Sequence, residues 1–208
     1  MAWRRPVPTL SPCNEEDFSP LVDRCFTPDA VKALQSAGWT VIDVPAGVTL
    51  HALREQGAPF RSDRYFREFA PEVTETPTVA HTVAYRPELL PNSLNRAYDE
   101  CAALLRDLSA TLPPGLAATI APAAVYAWLL MQHHRATGAF PLAGHYTWTS
   151  DRYRATHLAL GVFGRDRPLL VAPIPELRGR GIGVLPVVVA FASDGYSDTE
   201  LAQQRGNE

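Results

Sequence analysis

Four of the six histidines, His133, His134, His145 and His157, fall within 25 residues. Neutral imidazole is a metal ligand and a general base near neutral pH. A metal-assisted hydrolytic site using His133 or His134 with His145 and His157 is therefore the first chemistry these residue types suggest. The spacing matches no pattern such as HExxH, and no carboxylate stands beside the His pair to orient it. Neighbours on a helix point about 100° apart, so only one of the pair easily joins a site on one face. The structural alternative is a helix C-terminus, where histidine bonds the last carbonyls and suits the macrodipole. Ser150, Ser193 and Cys101 are nucleophiles in principle, but none lies in a GxSxG elbow or a Cys–His setting. Cys101 falls on an apolar helical stripe, where a core thiol belongs.

Arginines and aromatics form a second constellation: Tyr146, Trp148, Arg152, Tyr153, Arg154, Arg165 and Arg167. In an alternating strand Tyr146 and Trp148 share a face, as do Arg152 and Arg154, and Trp148 joins Arg152 if no bulge intervenes. Such a surface suits a protein partner or self-association. It also suits single-stranded nucleic acid, with bases stacked on the rings and phosphates paired to Arg. The same residues equally fill ordinary cores. The block RGRGIG at 178–183 has the glycines of a phosphate loop, but it leads into a strand, whereas a dinucleotide-binding turn opens a helix. Its glycines read as a bulge or a hairpin bend, with Arg178 and Arg180 solvated.

Composition narrows the classes. The chain has 208 residues, 46% hydrophobic and 20% charged, a globular balance with room for a sizeable core. A net charge of −3 gives no global basic field for nucleic acid. The charge is uneven, however. Residues 1–115 hold 11 basic and 15 acidic side chains, while 116–192 hold seven Arg against Asp151, Asp166 and Glu176. Arginine outnumbers lysine 18 to one, which favours anion binding but is also the signature of a GC-rich genome. Cys13, Cys25 and Cys101 lack CxxC spacing, which argues against a disulfide framework or zinc ribbon. No motif calls for a cofactor. The start, MAWRRPVPTLSP, lacks the apolar stretch of a secretory leader, so a cytoplasmic protein is expected. Residues 109–132 are uncharged, but prolines interrupt them, so a buried helix is expected rather than a membrane span.

The elements that must position these residues follow from caps and periodicity. Thr27-Pro28-Asp29 starts a helix that Gly38 stops. A strand over 39–45 and a short helix capped by Thr49 come next. A third helix is expected over 62–69 and a strand over 78–85. A longer helix runs from Asn92 or Ser93 to Ser109, and after Pro113-Pro114-Gly115 a second runs over 116–136, with Pro122 kinking it or marking its true first turn. The two helices form a hairpin. From Gly138 onward the texture is β: 146–153 and 157–163 alternate, 169–174 is apolar, and 184–192 reads as a central strand covered on both faces. The expected fold is α+β: an N-terminal helix–strand–helix portion, a helical hairpin and a C-terminal antiparallel sheet. Residues 1–26 form an extended arm, 27–192 one domain and 193–208 a tail.

The blocks TWTSDRYR at 147–154, LALGVFGRDRPLLV at 158–171 and GIGVLPVVV at 181–189 resemble the C-terminal part of small bacterial proteins with no assigned function. VAYRPELLPNSLNRAYDE at 83–100 is similar to their middle region. These blocks are not catalytic signatures, and the resemblance implies no activity and no site. The expectation is a non-catalytic binding or assembly protein that uses the Arg/aromatic face of its C-terminal sheet. A His-based hydrolase and a single-stranded nucleic-acid binder are the alternatives.

Overall fold

Helices start and stop where side chains can satisfy their free backbone groups. A computed structural model describes residues 25–60, 71–165, 169–173 and 181–191. Helix α1 is Pro28–Ser36; the Thr27 side chain accepts from Ala30 N–H and Gly38 follows with φ 82°. Strand β1 is Thr40–Val44, and α2, Leu50–Glu55, is capped by Thr49 as the sequence predicts. The helix expected over 62–69 lies outside the described residues, as do most of the arm and the tail. Helix α3 is Pro71–Thr74 and strand β2 is His81–Tyr85.

The longer helix, α4, is Tyr98–Ser109 and begins later than expected. Asn92 and Asn95 both take φ 63°, a left-handed conformation that a helix cannot contain. The true start is closed by Glu100, whose carboxylate accepts from Ala97 N–H at 2.8 Å. The second arm of the expected hairpin also changes. Leu116–Thr119 is strand β3, paired antiparallel to β8 (Val187–Ala190), and only Ala123–Thr137 is helix, α5. Ala-rich 116–119 favours helix on its own, but a free strand edge outweighs that weak preference. Pro122 stands at the N-cap of α5, so it marks the helix start and no kink.

The remaining strands are β4, Tyr146–Tyr153; β5, Thr156–Gly161; β6, Leu170–Pro173; and β7, Ile182–Gly183. Two four-stranded sheets result, in the orders β1-β2-β8-β3 and β6-β5-β4-β7. The second holds most of the expected C-terminal sheet but is mixed, since β7 runs parallel to β4. The last strand instead enters the first sheet, between β2 and β3. Its central place explains its unbroken apolar sequence, and Pro186 sits just before it, where no ladder bond is lost. Glycine is required where β5 meets the start of β4: a Cβ on Gly161 would lie 2.2 Å from His145 O.

Helix α5 packs on β4, β5 and α2, and α4 packs on β3. Eight residues of α5, among them Val125, Tyr126, Leu129 and Leu130, are buried, so the uncharged stretch is an internal helix. No described helix is long and apolar enough to cross a membrane. Most buried apolar residues of the described helices and of both sheets belong to one cluster.

Candidate functional site

The chemistry-bearing residues gather around an irregularity in β4. From Tyr146↔Gly161 to Trp148↔Ala159 the strands pair in one register, and pairing resumes at Arg152↔His157. Thr149, Ser150 and Asp151 thus oppose Leu158 alone, which makes a bulge. Three bonds anchor it. Thr149 Oγ1 donates to Leu158 O at 3.1 Å, Ser150 N–H donates to Ala121 O at 3.0 Å, and the Asp151 carboxylate accepts from Ala123 N–H. Pro122 cannot cap α5 with its side chain, so a carboxylate from the other sheet supplies the acceptor.

Asp151 also lines a cleft of about 380 Å³, between β2, β8, the loop before β2 and the start of α5. Val79, Val125 and Val189 give it apolar walls, with Thr78 and His81 beside them. Burial pushes the Asp151 carboxyl above the usual carboxylate range, and the Ala123 N–H pulls it partly back. His81 Nδ1 lies 2.6 Å from Val79 O. A carbonyl only accepts, so Nδ1 carries the proton and Nε2 is the acceptor of the neutral ring. The Thr78 hydroxyl donates to Pro45 O and accepts from Val48 N–H, so its one proton is spent. No arginine or lysine among the described residues lines the cleft.

Sequence reasoning missed this cleft. The available signal was Ser150-Asp151 inside an alternating strand, since acidic residues are depleted there and mark an interruption.

The Arg/aromatic constellation is divided by the same bulge. Trp148 is 1% exposed, its Nε1–H donates to Arg96 O at 3.1 Å, and its ring meets Tyr98 edge-on. It is a core residue; because the register shifts by two, Trp148↔Ala159 and Arg152↔His157 still lie on one face, but the Trp148 ring is covered there while Arg152 is exposed. Burial of this ring removes the stacking platform a single-stranded nucleic acid would use. Arg152 and Arg154 are exposed on either side of half-buried Tyr153, and the Arg154 guanidinium lies 5.2 Å from the Tyr153 ring centre. Tyr146 is half-buried at the opposite end of the β4–β5 ladder, the end from which the chain proceeds to exposed Arg165. Arg167 lies outside the described residues, as do Arg178, Arg180 and Ser193.

The histidines have separate tasks. His133 Nδ1 is 3.3 Å from Tyr85 Oη, and His134 stacks on Phe140 at 4.2 Å. His145 is exposed, near Gly181. His157 is buried, stacked on Tyr98 at 3.5 Å, with its Nε2 2.7 Å from Arg152 Nη2. Because a guanidinium only donates, Nε2 accepts there. Among the described residues no group of three or more His, Cys, Asp or Glu side chains is placed to hold a metal ion, so His133, His145 and His157 do not converge on one. Cys101 is buried, donates to Ser93 O, and burial pushes its thiol up to about 11, far from a reactive thiolate.

Neither a family model, nor a curated protein, nor a solved structure matches this chain.

Proposed function

We propose that this is a non-catalytic binding protein whose β4–β5 hairpin tip holds an acidic protein partner through Arg152 and Arg154. One observation carries it. Arg154 occupies the two-residue hairpin turn with φ 56°, a position that favours Asn, Asp or Gly. A left-handed conformation costs an ordinary side chain about 1–2 kcal/mol. Arginine there carries a backbone cost that its contact with the Tyr153 ring offsets only in part, and it stands exposed, the pattern of a residue placed for contact. Neither arginine has a carboxylate partner among the described residues, so both cations remain available to pair with carboxylates. Tyr153 adds apolar area between them, and Tyr and Arg are the residues that dominate interface energies.

Retention on immobilised poly-L-glutamate at low salt tests this. The protein is expected to be retained, and the Arg152→Ala/Arg154→Ala double variant to elute early. Equal elution of the two, or retention on poly(dT) alone, overturns it. Light scattering distinguishes a second copy of the chain from a different partner.

A further inference from the structure

The cleft beside Asp151 has no part in hairpin-tip contact, and its chemistry is opposite. A helix cap needs one oxygen. Asp151 Oδ2 takes the Ala123 N–H, and Oδ1 is left for another donor. The other ionisable group on the described walls is His81, whose Nδ1–H is spent on Val79 O. Thr82, also on the wall, spends its hydroxyl proton on Asp43 Oδ1 at 2.7 Å. The Asp151 carboxylate is the charged acceptor on the described lining, and no described arginine or lysine lines the cleft to answer it. Valines supply the rest of the wall. The volume, about 380 Å³, falls at the small-molecule end of ligand sites.

We propose that this cleft binds a small aliphatic primary ammonium, with its head on Asp151 Oδ1 and its carbons against Val79, Val125 and Val189. An ammonium has three donors and no acceptor, the complement of this lining. A charge-assisted bond in a partly desolvated site is stronger than its equivalent in water. Anionic ligands would meet Asp151 without a compensating cation among the described residues. A primary amine therefore fits better than a carboxylate of equal length.

The test is a thermal-shift titration with n-hexylammonium chloride, and n-hexanoate and ammonium chloride as controls. Saturable stabilisation by hexylammonium, at least tenfold tighter than either control, is expected. Asp151→Asn keeps an oxygen for the Ala123 N–H but removes the charge, so it should stay folded and lose the hexylammonium shift. Amide chemical-shift changes should centre on His81, Val125 and Asp151. A parent without saturable shift, an Asp151→Asn variant that responds equally, or hexanoate binding as well as hexylammonium overturns the proposal. The Arg152→Ala/Arg154→Ala variant should respond like the parent, so failure here is separable from failure of the hairpin-tip contact.

Discussion

In the first half of β4, residues 146–148 pair in register with β5 on one side and run parallel to β7 on the other; in the second half, Arg152 and Tyr153 pair with β5 alone, two residues out of step. Thr147 and Trp148 are fully buried, and Thr147 Oγ1 accepts from Leu185 N–H. From the bulge onward, Ser150, Arg152 and Arg154 are exposed. One short segment therefore does two jobs. Regular pairing holds the sheet together, and the interruption turns Asp151 toward a cleft and leaves the arginines facing water. Bulges commonly re-aim side chains, and here the change of register marks the border between a buried and a largely exposed part of the strand.

The sharpest way to break this contrast is to truncate one residue in each half. Trp148→Ala should cost about 3–5 kcal/mol, because it removes a large buried ring and leaves Arg96 O without its donor. Urea unfolding reads this directly, and a loss below about 1 kcal/mol would place Trp148 outside the core. Asp151→Ala should cost about 1 kcal/mol, the usual value of a lost N-terminal cap, with Asp151→Asn closer to the parent.

Acidity sharpens the comparison further. Burial raises the Asp151 carboxyl in the folded state, so the folded protein binds this proton more tightly than the unfolded chain. Stability from this group is present below the ordinary carboxylate range and is lost as pH rises through the raised value. Asp151→Asn has no such loss. Its stability relative to the parent should therefore increase from pH 3 to pH 8 in denaturant melts, and a decrease would contradict the assignment. The smallest effect is expected at the hairpin turn. Arg154→Asn should gain about 0.5–1 kcal/mol by relieving the left-handed arginine while weakening retention on poly-L-glutamate, so stability and binding move in opposite directions.

Local signals made much of the fold legible. Thr27 and Thr49 cap the helices they were expected to cap, β4 has the expected bounds, and the apolar run containing β8 is a central strand. Helix α4 and strand β3 were misjudged for tertiary reasons. The left-handed Asn92 and Asn95 depend on contacts such as Asn95 Oδ1 with Gly181 N–H, and β3 depends on a strand about 70 residues later. The same limit applied to the site. Arg152 and Arg154 were named from their residue types, but Trp148 was grouped with them because strand periodicity does not reveal which part of a shared face is covered, here by Tyr98. Asp151 stood in the sequence as one acid among arginines, and only its position against α5 and the cleft gives it a role.

The measurement that addresses the central claim most directly is the cross-strand pairing of β4 by nuclear Overhauser contacts. The bulged register predicts backbone contacts from Trp148 to Ala159 and from Arg152 to His157. An uninterrupted ladder would instead place Ser150 opposite His157 and remove the interruption that holds Asp151 at the start of α5. Contacts from Ser150 to His157 would contradict the account.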